Sequence, residues 1–179
     1  MEVFWERGYE GSSITDLTEA MGITAPSLYG AFHSKAELYR EALERYQRTH
    51  GATGMRALEE PTARGFIERV LREAARTFTG ARHPPGCMIS TAVLTCATEN
   101  QPVARYVAGL RGATLEQLQA RFQRAIDEGE LPATPDAEGL ARFYGAIMQG
   151  MSVQALDGAS EEALLKIATL ALSHLPSSG

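Results

Sequence analysis

Residues 22 to 35, GITAPSLYGAFHSK, carry one lysine, one histidine and no carboxylate, in a chain with 22 acidic against 17 basic side chains. The chemistry such a stretch can do is docking against a polyanion. Thr24, Ala25, Ser27, Gly30 and Ala31 are small enough for close approach, and Ser27 can bond a base edge or a phosphate. Tyr29, His33 and Lys35 can reach backbone oxygens, and a carboxylate among them would be repelled by phosphate. A second candidate is the thiol of Cys87 in RHPPGCMI, either a reactive sensor or a small buried residue. Cys96 falls on the apolar series Ile89, Ala92, Val93 and Cys96 and reads as core. The two cysteines match no zinc-ligand spacing.

Docking needs an element that presents these residues. Ser13 can cap a helix with Asp16 three residues later, and Gly22 ends that helix because glycine takes the left-handed conformation without steric cost. Thr24 can cap a second short helix with Pro26 in its first turn, and Ser34 with Glu37 forms a capping box for a third. Two short helices joined by Gly22-Ile23-Thr24 make a helix-turn-helix, with Leu17, Met21, Ile23, Leu28 and Phe32 as its core. In such a unit the second helix enters the DNA major groove. Spacing and charge alone fit equally a plain turn between two short helices of an all-α protein.

The rest of the chain reads as helix throughout, with no sustained period-two alternation. Apolar stripes run over residues 38–46, 66–78, 103–126, 140–151 and 164–175. Thr134-Pro135-Asp136 and Ser160-Glu161-Glu162 read as helix starts. Breaks fall at Gly51 to Gly54, His83 to Gly86, Asn100 to Pro102, Gly129 to Pro135 and Asp157-Gly158. Helices before about residue 50 are short and later ones long, so a small domain over 1–48 is followed by a larger helical one over 49–179.

Gly8-Tyr9 through Leu17, and then Gly22-Ile23-Thr24 through Leu28-Tyr29, Phe32, Ser34-Lys35 and Leu38, resemble the N-terminal domain of the TetR family of transcriptional repressors in register over about residues 3 to 48. The resemblance implies DNA contacts from Thr24, Ala25, Ser27, Tyr29, Gly30, His33 and Lys35, with Thr15 meeting phosphate at the start of the preceding helix. It also implies a homodimer on palindromic operator DNA, paired through the last two helices, and a C-terminal core that takes a small-molecule effector. Cys87, Met88, Tyr106, Phe122, Phe143, Tyr144, Met148 and Met151 are the candidate effector contacts, and Gly86-Cys87 would open a sixth helix, placing the thiol at its N-terminus. Against the family pattern, the chain starts midway through the first helix, and residues 1 to 50 hold five basic against eight acidic side chains, a net −3. A helical adaptor that no longer binds DNA is the competing reading.

Composition narrows the remainder. A formal charge of −5 and pI of about 5.4 argue against coating nucleic acid by bulk charge. No membrane span or signal peptide is read, so a cytoplasmic protein is expected. His50 and His174 read as surface residues and His83 as loop. No phosphate-binding glycine loop, HExxH or nucleophile elbow occurs, so neither an enzyme nor a cofactor or metal is expected.

Overall fold

In the computed structural model, which describes residues 1–51 and 57–176, all the regular structure described is helical. Four short helices open the chain: α1 (Glu2–Gly11), α2 (Ile14–Met21), α3 (Ala25–Phe32) and α4 (Lys35–Tyr46), the last running into a π turn at Gln47–Gly51. After a 3-10 turn at Ala57–Glu59 come α5 (Ala63–Phe78), α6 (Gln101–Asp127), α7 (Ala137–Leu156) and α8 (Glu161–Ser173). Part of the expected Gly51 to Gly54 break lies outside the described residues.

The caps explain where the short helices begin and end. Ser13 and Asp16 make the reciprocal capping box, Gly22 ends α2 at φ 65°, and the Thr24 hydroxyl accepts from the Ser27 amide. The Thr18 hydroxyl, inside α2, donates to the carbonyls of Ile14 and Thr15. The box at α4 is only half formed: the Ser34 hydroxyl accepts from the Glu37 amide, while the Glu37 carboxylate turns to Arg40 at 2.8 Å. At α7 the cap is Asp136, whose carboxylate accepts from the Gly139 amide, and not Thr134; Thr134 and Pro135 precede the helix.

Apolar faces gather into two clusters. In the larger, Phe66, Ile67 and Leu71 of α5 meet Phe122 of α6, Tyr144 and Met151 of α7 and Leu164 of α8. Each of these buried side chains stabilises the fold by roughly 1.5–3 kcal/mol relative to exposure. The Tyr144 hydroxyl donates to the Ala171 carbonyl and so ties α7 to α8. The smaller cluster joins Phe4, Trp5, Leu28, Tyr39 and Leu43 of the first four helices to Met88, Val103 and Val107 from the later chain. Within the helix-turn-helix, Leu17 and Leu28 are buried and Ile23 and Phe32 half-buried, but Met21 is 41% exposed and is not a core residue.

The expected sixth helix is absent. Residues 87–97 form a chain of turns, and Val93 sits at φ 49°, outside the right-handed helical region. Short apolar spacing at Ile89, Ala92 and Val93 reflects packing against the smaller cluster instead. Cys96 is half-buried and accepts from the Gln101 side-chain amide, so it is not a core residue either. This irregular segment is held by neighbours: the Arg111 guanidinium donates to the carbonyls of Ile89 and Ala92, and the Cys87 amide donates to the buried Ser152 hydroxyl.

Gly22 and Gly86 share the left-handed region but differ in surroundings. A Cβ on Gly22 meets nothing within 4 Å, whereas one on Gly86 would lie 2.9 Å from Leu156 Cγ and 3.1 Å from the Ser152 carbonyl. Gly22→Ala is expected to cost about 1 kcal/mol through backbone strain alone. Gly86→Ala adds overpacking and should cost about 2 kcal/mol or more, a ranking that urea denaturation of the two variants checks.

Candidate nucleic-acid interface and effector cavity

Helix α3 is held to the protein by one buried side chain, Leu28, while Pro26, Ser27, Tyr29, Gly30 and Ala31 face outward. The first turn of α3 has no acidic residue. Thr15, Thr24 and His33 are also exposed, and Ala25 and Lys35 half-buried, so none of the eight sequence-predicted DNA contacts is buried. His33 ends α3 at φ 61°, a left-handed break that turns the chain into the Ser34 cap. The Lys35 ammonium lies 4.5 Å over the Tyr9 ring, and partial burial there lowers its pKa against the raising effect of Glu10 and Asp16.

Two carboxylates of the opening helices, Asp16 and Glu10, are engaged elsewhere. Asp16 accepts from the Ser13 amide and hydroxyl through one oxygen and pairs with Arg7 at 2.6 Å through the other. These bonds, those from Ser13 foremost, hold its pKa below the ordinary carboxylate value. Glu10 points back to the later chain, where one oxygen accepts from the Asn100 side chain at 2.9 Å and the Ala97 amide at 3.1 Å, and its pKa is lowered chiefly by Asn100.

Behind this surface lies a cavity of about 250 Å³. Tyr46 and His50, from the end of α4 and the π turn, form part of its wall with Cys87, Phe66 of α5, Leu118 of α6 and Met148 of α7. The Tyr46 hydroxyl donates to the Cys87 thiol at 3.4 Å, and burial pushes the Tyr46 pKa up. Trp5 stacks on His83 with ring centroids 4.5 Å apart and meets Tyr46 and His50 edge-on, so α1, the π turn and the loop at His83 share one aromatic nest. Burial first, then His83, lowers the His50 pKa. His50 and His83 are therefore half-buried nest residues, not surface or open loop, and His174 is exposed as expected.

Two family models match the chain: bacterial regulatory proteins of the tetR family over residues 1–42, and the tetracyclin repressor-like C-terminal domain over residues 66–168. Over 178 residues the chain is 33% identical to the HTH-type transcriptional repressor ComR of Escherichia coli K12, covering 98% of this chain and 85% of that protein. The chain belongs to the TetR family of bacterial transcriptional regulators. BdcR, another HTH-type transcriptional repressor of Escherichia coli K12, is 30% identical over 94% of this chain and 81% of its own length. Among solved structures, the TetR family regulator CifR, a cysteine mutant complexed with 26-bp double-strand operator DNA, superposes with a TM-score of 0.94 at 41% identity, covering 98% of this chain and 92% of that one. A TetR regulator from Rhodococcus sp. RHA1 gives 0.68 at 39% identity over 99% and 96% of the two chains.

For a TetR-family chain the cavity wall differs from the sequence expectation. Of the eight candidate effector residues only Cys87 and Met148 line it. Phe122, Tyr144 and Met151 are buried in the larger cluster, Met88 in the smaller one, Tyr106 lies under Arg40, and Phe143 is 45% exposed. Cys87 also lacks the helix N-terminus expected for it, since no helix begins there. Sequence reasoning missed Tyr46, His50 and Glu73 as wall residues. Glu73 had a readable signal, a carboxylate set at helical spacing from Phe66, Val70 and Thr77 on an otherwise apolar stripe. Among the described residues there is no metal-binding cluster, and no helix is long and apolar enough to cross a membrane.

The lowered Asp16 pKa carries a pH signature. Stabilisation from a depressed carboxylate is present above the unfolded value, about pH 3.9, and is lost as pH falls through it towards the folded one. Ser13→Ala removes the hydroxyl bond, the largest of the contacts that depress it, and leaves the amide and Arg7 bonds in place. The variant is expected to be less stable than the parent at neutral pH, with the gap narrowing at about pH 3, as measured by urea unfolding at both pH values.

Proposed function

We propose that this chain is a homodimeric transcriptional repressor that binds palindromic operator DNA through α3 and leaves it when a small molecule occupies the cavity. The observation that carries the reading is an outward, acid-free α3 fixed to the protein by Leu28, in a chain that superposes on operator-bound CifR with a TM-score of 0.94. Thr24, Ala25, Ser27, Gly30 and Tyr29 would face the groove, with Thr15, His33 and Lys35 on phosphate. The chain would divide into a DNA-binding unit over 1–48 and an effector and pairing unit over 49–179, a division supported by the family-model spans of residues 1–42 and 66–168.

Pairing through α7 and α8 fits side chains that a lone chain leaves in water: Phe143, Val153, Leu156 and Leu170 are 44% to 63% exposed. A single recognition helix reads few base pairs, and a two-fold axis doubles the site into a palindrome. Effector release follows from a cavity whose wall mixes residues of α4 and the π turn with residues of α5, α6 and α7. A ligand that fits one setting of α4 better than another shifts the spacing of the two recognition helices, and coupling equals that difference in affinity. The work of such a protein is done in the cytoplasm and involves no catalysis.

Selection of bound DNA from a random pool should return a palindrome with half-sites about one helical turn apart. On that DNA, Lys35→Met should weaken binding and flatten the dependence of log K on log salt by about one unit for each Lys35 engaged, while Tyr29→Ala weakens binding to all sequences. An unenriched pool, or both variants binding like the parent in a salt titration, would sink the reading.

A further inference from the structure

The cavity wall is largely apolar, with Phe66, Phe78, Leu118 and Met148 among its residues, and α6 brings the guanidinium of Arg111 into it. Both hydrogen bonds of Arg111 leave from Nη1, to the carbonyl of Ile89 at 3.1 Å and that of Ala92 at 2.9 Å. Among the described residues no carboxylate pairs with Arg111, and its Nη2 and Nε have no hydrogen-bond partner. Neither nitrogen is one of the unpartnered polar atoms that packing seals off, so both can be reached. A guanidinium only donates, and the N–H groups on these two nitrogens are left over for a group that accepts. Glu73 of α5, the carboxylate in the same wall, offers a ligand no such opening. One of its oxygens accepts from Arg69 Nε at 3.0 Å, and the other is sealed by packing. Its charge still counts: Glu60 and Glu73 against Arg69 and Arg111 leave this side of the cavity with no net charge.

Resting on the reading of this cavity as the effector site, we propose that the effector is a neutral, mostly apolar carbonyl compound whose oxygen accepts from the free N–H groups of Arg111 while its hydrocarbon part packs on the apolar wall. A hydrogen bond from a charged donor is among the strong ones, and in a largely apolar wall it is stronger than its counterpart in water. Such a ligand leaves the charge balance at zero. An ammonium of the same shape finds no open acceptor in Glu73 and is repelled by Arg111. A carboxylate gains Arg111 but carries an unbalanced charge into a poorly solvated site where Glu73 already stands, and its desolvation offsets the attraction.

The probes are benzylacetone, butylbenzene, phenylpropylamine and phenylpropionate, which share one apolar body and differ in the end group. Calorimetric titration of the full chain is expected to give benzylacetone about tenfold tighter binding than butylbenzene, with both charged probes weaker than the ketone and the amine weakest. Arg111→Met should abolish the preference for ketone over hydrocarbon. Glu73→Gln should strengthen phenylpropionate binding severalfold and leave the ketone little changed, melting curves confirming that each variant folds. Should Arg111→Met fail to fold for want of its bonds to Ile89 and Ala92, the ranking of probes on the parent and the Glu73→Gln titration decide. A ketone bound no better than the hydrocarbon, a charged probe bound as tightly as the ketone, no binding of any probe, a ketone preference that survives Arg111→Met, or a carboxylate that Glu73→Gln does not help would overturn the proposal. Operator binding is measured on the same samples: operator binding without ketone preference removes this inference alone, and ketone preference without operator binding removes the repressor reading instead.

Discussion

The four opening helices do not close a core by themselves. Fewer than fifty residues bury too small a share of their surface to fold firmly alone, and here the deficit is met by Met88, Val103 and Val107, which complete the cluster around Phe4, Trp5, Tyr39 and Leu43. Everything the reading helix does depends on this shared apolar contact. Leu28 fixes α3 into the same cluster as α1 and α4, so the orientation of an exposed eight-residue helix depends on residues as distant in the chain as Val107.

The same sharing explains how an acidic opening segment can meet a polyanion. Several of its carboxylates are not removed but given other partners: Asp16 is bonded by Ser13 and Arg7, Glu10 accepts from Ala97 and Asn100, and Glu37 pairs with Arg40. What α3 itself presents is hydroxyls, small residues and the Tyr29 ring, with no carboxylate, and Lys35 beside it lies over the Tyr9 ring.

How much of this was legible in the sequence follows from the range of the interactions involved. Ser13, Gly22, Thr24 and Ser34 act on backbone within three residues, so the helix-turn-helix and the exposure of α3 could be read directly. Residues 87–97 could not, because their conformation is set by Arg111 and Ser152, which arrive from other helices and override a helical apolar spacing. The cavity was hidden for the same reason. Aromatic and methionine positions on α6 and α7 fill the larger cluster solidly, and the open space falls instead where α4 and the π turn meet α5, a junction no single stripe announces.

Trp5, Tyr46, His50 and His83 come from three stretches of chain: Trp5 and His50 each meet the other rings at centroid distances of 4.5 to 5.5 Å. Contacts made by all four at once are not separable into independent pairs, and neighbours of this kind show non-additive energies. A change at one ring alters the worth of the residues at the other three. Along an evolving lineage these positions are therefore bound to drift as a set, and a substitution harmless in one relative can be damaging when carried alone into another.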